Sequence, residues 1–70
     1  MKYNGTIDGL QKRTLDCNVF GDWCWHGKGK FYQFRSMSGE IMNWWPTTKT
    51  IYFQGKPGPL QRRFTAVFAH

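Results

Sequence analysis

Phe31-Tyr32-Gln33-Phe34-Arg35, Ile41-Met42-Asn43-Trp44-Trp45 and Thr50-Ile51-Tyr52-Phe53-Gln54 are the segments that decide the fold. Each is short, rich in aromatic, aliphatic or β-branched residues, and alternates between two sets of side chains, as a strand does. Ser36-Met37-Ser38-Gly39 separates the first two, and Pro46-Thr47-Thr48-Lys49 separates the last two. Both separators have turn composition. Pro46 has no N–H to give a ladder, so it stops the second strand. Gly55-Lys56-Pro57-Gly58 closes the third. Connections this short join antiparallel neighbours, because a parallel pair needs a crossover of a dozen residues or more. The reading is an antiparallel meander.

Alternation then sorts the side chains onto two faces. Tyr32, Phe34, Met42, Trp44, Ile51 and Phe53 share one face and are the expected core. Phe31, Gln33, Arg35, Asn43, Trp45, Tyr52 and Gln54 share the other. This second set mixes rings, amides and a guanidinium, a composition suited to stacking and polar contact with nucleotides. A second reading stands beside it: residues 1–25, particularly Trp23 and Trp25, cover these rings, since a small domain must bury its aromatics somewhere.

Downstream the period changes. Leu60, Phe64, Val67 and Phe68 recur at i, i+4, i+7 and i+8, one face of a helix. Pro59 stands before them, suited to a first turn, and Gln61, Arg62, Arg63 and Thr65 take the opposite side. So short a helix needs a sheet to pack on. Phe64 and Phe68 are therefore expected against Phe53 and Trp44.

Upstream the pattern is weaker. Val19 to Trp25 is aromatic-rich and runs into the basic turn Gly27-Lys28-Gly29-Lys30. Residues 1–16 read two ways, with Lys2–Ile7 as a short strand and Asp8–Leu15 as one helical turn, and the spacing supports neither well. The expected architecture is a single α+β domain over residues 1–70. It consists of a small antiparallel sheet of three to five strands with the C-terminal helix packed on one face. A chain of 70 residues has no room for a second core.

Composition limits the function classes. Thirteen aromatic residues, 19% of the chain, exclude a disordered polar segment. Ten Lys and Arg against four Asp and Glu give a net charge of +6, which points to an anionic partner. No apolar run approaches the ~20 residues of a membrane span, and the start of the chain lacks a signal-peptide core. Beginning at Met1, the chain reads as a small cytoplasmic protein. Its aromatic and basic residues alternate on strands instead of forming a basic amphipathic helix, so membrane binding is not expected.

Cys17, Cys24, His26 and His70 are the candidate zinc ligands. Cys24 and His26 are two apart, on one face of a strand, but the paired spacing of zinc modules is missing and His70 is the final residue. The expectation is two reduced thiols, no metal and no cofactor. Catalysis finds no better footing. Asp8, Asp16, Asp22 and Glu40 are scattered, and Gly27-Lys28-Gly29-Lys30 lacks the frame of a phosphate-binding loop. No catalytic residue is assigned, and the chain is not expected to be an enzyme.

The stretch Phe34 to Lys56 resembles the strand–strand–strand pattern in the N-terminal domain of type 3 ribonuclease H. Thr50-Ile51-Tyr52-Phe53-Gln54-Gly55-Lys56 is similar to that domain's strand ending in Gln-Gly-Lys, and a helix follows in both. With that helix, the resemblance covers roughly half of the chain. It implies a TATA-binding-protein-like curved antiparallel sheet, with helices on one face, that binds nucleic-acid duplex. This chain departs from the pattern at Thr48-Lys49, where the family usually offers Gly, and at Trp44-Trp45-Pro46. Nothing in it resembles the ribonuclease catalytic domain, so the likeness concerns a fold and a binding surface.

The expected partner is nucleic acid, DNA or RNA, duplex or single strand. Lys28, Lys30 and Lys49 are assigned to phosphates, and Phe31, Arg35, Asn43, Trp45 and Tyr52 to the contact face. The rival class is an interaction protein, encoded by a phage or mobile element, that inhibits a host nuclease or defence complex. It would use Trp and Arg as anchors on an acidic protein surface.

Overall fold

The strands read between Phe31 and Gln54 are joined by a fourth on their N-terminal side in the computed structural model, which describes residues 1–68. The elements are α1 (Ile7–Asp16), β1 (Gly21–His26), β2 (Phe31–Ser36), β3 (Glu40–Trp45), β4 (Thr50–Gly55) and α2 (Pro59–Phe68). The strands lie in the order β1-β2-β3-β4 and every neighbouring pair is antiparallel. The fold is thus α+β, a four-stranded meander with a helix before it and a helix after it.

The loop chemistry sets the hairpins. Gly39 closes the β2–β3 turn with φ +96°, a region that only glycine enters without strain. The other two hairpin loops, Gly27–Lys30 and Pro46–Lys49, each end on a lysine in the left-handed region, Lys30 at φ 56° and Lys49 at φ 64°. Because the strands alternate in direction, these two loops share one end of the sheet. At the opposite end of β1, Gly21 lies so close to β2 that a Cβ there would collide with the Arg35 carbonyl oxygen.

In the N-terminal segment the helical reading of Asp8–Leu15 holds and extends beyond one turn, while of the strand reading only Lys2 pairs, as a single bridge. Residues 7–16 form a complete helix whose ends are set by a side-chain cap at the start and a backbone stop at the finish rather than by an apolar stripe. Thr6 is the N-cap, its hydroxyl accepting from the Gly9 amide at 3.2 Å. At the other end Asn18 adopts φ 61°, its N–H donates to Leu15 O, and the Val19 N–H donates to Thr14 O. This is a Schellman stop with Asn in the left-handed position. Leu10 and Thr14 are the buried residues of α1. The first residues run along the free edge of β4, with Lys2 bridged to Thr50, Ile51 N–H donating to Met1 O and Tyr3 N–H donating to Lys49 O.

Both helices take the same face of the sheet. Phe34, Met42, Trp44 and Ile51 are buried there with Leu10 of α1, Leu60 and Phe64 of α2, and Tyr3 and Val19. Tyr32 and Phe53 are half-buried against this cluster, so the core face read by alternation is the observed one. Phe64 meets Phe53 edge-on at 6.1 Å. Phe68 is placed differently from its expected position on Trp44. Tyr3 packs between the two, 5.3 Å from Trp44 and 5.9 Å from Phe68, and its carbonyl accepts from Trp44 Nε1.

Glu40 is the buried charged residue among the described residues, 1% exposed at the start of β3. The first helical hydrogen bond of α2 is Arg62 N–H to Gly58 O, and Pro59 has no N–H, which leaves Leu60 and Gln61 as the orphan amides. Leu60 donates to Glu40 Oε2 at 3.1 Å and Gln61 to Oε1 at 2.9 Å. One carboxylate therefore satisfies the N-terminus of α2 and places it against the sheet. Among the described residues no helix is long and apolar enough to cross a membrane.

Candidate functional site

With both helices on one face, the other face of the sheet is built by strand residues alone. Register places Asp22 across from Arg35, Cys24 across from Gln33 and His26 across from Phe31. Trp23 and Trp25 therefore point to the helix side, where they contact the rings of Phe34 and Tyr32. They do not cover Trp45, which is half-buried among its own face neighbours.

Two rows of side chains organise the open face. The first is aromatic. His26 stacks on Phe31, with centroids 4.8 Å apart and planes within 5°, and Phe31 leans on Trp45 at 4.9 Å. Gly29 in the adjoining loop allows this row, since a Cβ there would stand 2.6 Å from the Phe31 ring. His26 Nε2 is enclosed in the packing without a hydrogen-bond partner.

The second row is polar and runs in one direction. Arg35 Nε donates to Gln33 Oε1 at 3.0 Å, Gln33 Nε2 donates to Asn43 Oδ1 at 2.9 Å, and Asn43 Nδ2 donates to Gln54 Oε1 at 2.7 Å. Each amide in the chain has its orientation set by its neighbour. The two ends are exposed and both are donor groups, the guanidinium of Arg35 and the amide NH2 of Gln54. Such a face presents donors to a ligand rich in acceptors.

The predicted site residues fall into three places. Phe31 and Trp45 form the ring row, and Lys28, Lys30 and Lys49 lie in the two loops at that same end of the sheet. Tyr52 is in mid-face and 59% exposed, and Arg35 is on the face toward the other end. Asn43 is the exception. It is 2% exposed with both ends of its amide engaged, so it positions Gln33 and Gln54 rather than presenting itself.

Three contributors are not among the assigned site residues, although Gln54 is read on the open face. His26 completes the ring row; its position opposite Phe31 across a four-residue loop is the signal that would have shown it. Gln54 ends the polar ladder. Lys2 joins the basic end, its Nζ donating to Thr48 O and to Thr50 Oγ1. Of the four candidate zinc ligands, Cys24 and His26 lie on the open face, Cys17 is the C-cap of α1, and His70 lies outside the described residues. No grouping of three or more His, Cys, Asp or Glu side chains suited to a metal occurs among the described residues.

Lys49 links the site to backbone conformation. A non-glycine residue in the left-handed region costs about 1 kcal/mol. Lys49→Gly should raise stability by about 0.5–1 kcal/mol in chemical denaturation while removing one cation from the basic end. An unchanged or lowered midpoint would show that the Lys49 side chain contributes packing that outweighs the strain.

Comparison with protein families, with curated proteins and with solved structures finds no match for this chain.

Proposed function

We propose that the open sheet face binds nucleic acid, with its rings against bases and its loop lysines on phosphates. The observation that carries this reading is the row His26–Phe31–Trp45 lying beside two loops that bear Lys28, Lys30 and Lys49. Stacking platforms flanked by cations are how sheets hold nucleotides without strong sequence preference. The exposed ring of Tyr52 and the donor ends of the amide ladder extend the surface across the face. The net charge of +6 supplies the long-range attraction. The resemblance of Phe34–Lys56 to a duplex-binding domain supports the same class of partner.

Anisotropy titrations against single-stranded and duplex DNA and RNA at two salt concentrations test the proposal. Lys28→Ala and Lys30→Ala should each weaken binding to all sequences and reduce the slope of log K against log salt by about one unit. Trp45→Ala should lose roughly 1–3 kcal/mol with the slope unchanged. Absence of binding at physiological salt would overturn the reading and leave a protein-directed inhibitor, anchored by Trp45 and Arg35, as the function to test.

A further inference from the structure

The two edges of the sheet are treated differently. The free edge of β4 is occupied at one end by residues 1–3, through the Ile51 and Tyr3 amides. The free edge of β1 has no such cover among the described residues. Exposed edges are normally defended by Lys, Pro or a covering segment, and Gly21-Asp22-Trp23-Cys24-Trp25-His26 contains neither Lys, Arg nor Pro. It carries instead a tryptophan, Trp25, that is 50% exposed on the helix side. The ladder polarity is known: Met37 N–H donates to Phe20 O, so Phe20 and every second residue after it turn their peptide groups toward β2. Gly21, Trp23 and Trp25 consequently turn theirs outward.

We infer that β1 pairs antiparallel with β1 of a second copy of this chain, around a two-fold axis at Cys24, to give an eight-stranded sheet. This register joins the outward peptide groups of Trp23 to those of the partner's Trp25, and the reverse. On the helix side it sets Trp23 against the partner's Trp25, covering the exposed ring. On the open face it sets the Asp22 carboxylate across from the partner's His26 imidazole, an acceptor facing a donor, and Cys24 across from its own copy. A register centred on Asp22 would oppose two carboxylates, and one centred on Trp23 would set His26 against the partner's Phe20, with no acceptor for the imidazole. The occupant is a second copy, because in this register the strand covers its own exposed Trp25 and matches Asp22 with His26.

Sedimentation equilibrium of the full chain over a concentration series is the test. The expected result is a species of twice the 8.3 kDa chain mass. Its fraction should not fall as salt rises, since salt screens the repulsion between two chains of charge +6. Trp25→Lys should return the monomer with its circular dichroism unchanged. Under diamide, which takes up the two thiol hydrogens and their electrons as the S–S bond forms, a covalent dimer should appear in the parent and in Cys17→Ser. It should be absent from Cys24→Ser. A monomer at every concentration overturns the inference and transfers the edge to a strand of another protein. A dimer that survives Trp25→Lys, or that crosslinks through Cys17, also overturns it by placing the interface elsewhere.

Discussion

Phe64→Ala is expected to lower stability by about 3–5 kcal/mol, the range for truncating a buried aromatic. Phe64 is 2% exposed and stands at the centre of the helix side, edge-on to Phe53 at 6.1 Å and to Phe68 at 5.2 Å. Removing it takes one ring from two aromatic contacts at once and leaves a cavity that Leu60 and Met42, already buried, have little freedom to fill. A domain of this length has a total stability of only about 4–10 kcal/mol. The variant is therefore expected to be largely unfolded at 37 °C, with Tm lowered by roughly 15 °C or more. Thermal melts followed by circular dichroism measure this directly. A midpoint within a few degrees of the parent would mean that α2 does not seal the sheet.

The second large effect is expected at Glu40. Its carboxylate takes the two orphan amides of α2 in a site shielded from water, so Glu40→Ala leaves two buried N–H groups without acceptors. A loss of about 2–4 kcal/mol is expected, more than an exposed N-cap residue contributes. Glu40→Gln should lose less, because one amide oxygen still accepts while the NH2 group meets the other N–H. Gly58 supplies an independent check from the opposite side of the contact. A Cβ at Gly58 would lie 2.6 Å from Glu40 Cδ, so Gly58→Ala should displace the carboxylate and reproduce much of the Glu40→Ala loss. In the double variant the two losses should be far from additive. Full additivity, or a Glu40→Ala variant as stable as the parent, would show that the helix end is satisfied by other means.

These two positions also explain why the open face is left free of helices. Phe64 and Glu40 hold α2 to one side of the sheet by ring packing and by a charge-assisted cap, and Leu10 and Thr14 hold α1 to the same side. Nothing in the hydrophobic economy of the fold then requires the other face to be apolar throughout. It is stabilised within its own layer by the ring row and the amide ladder. The loop lysines can thus be changed without removing core, which is why Lys28 and Lys30 are useful probes of the proposed binding rather than of folding.

Much of this was legible in the residues themselves. Period-two alternation in Phe31–Arg35, Ile41–Trp45 and Thr50–Gln54 assigns each side chain to a face, because successive strand residues point opposite ways whatever surrounds them. The i, i+4, i+7, i+8 spacing from Leu60 likewise yields α2. Gly39 and Pro46 mark turns by what their own backbones permit. What the tertiary structure alone decided depends on partners distant in the chain. α1 has few apolar positions, with Leu15 exposed and a threonine in its buried stripe, so it is set by its caps and by the core it meets. Glu40 looks like any turn carboxylate until α2 returns its two amides from twenty residues away. Asn43 looks like a contact residue until register brings Gln33 and Gln54 to either side and engages its amide completely. Tyr3 takes the place beside Trp44 because the first residues run along β4, a pairing across more than forty residues that no local period records. Periodicity is a property of the local backbone and can be read in sequence. Burial of a polar group depends on which distant atoms arrive to satisfy it, and that is determined only when the chain has closed on itself.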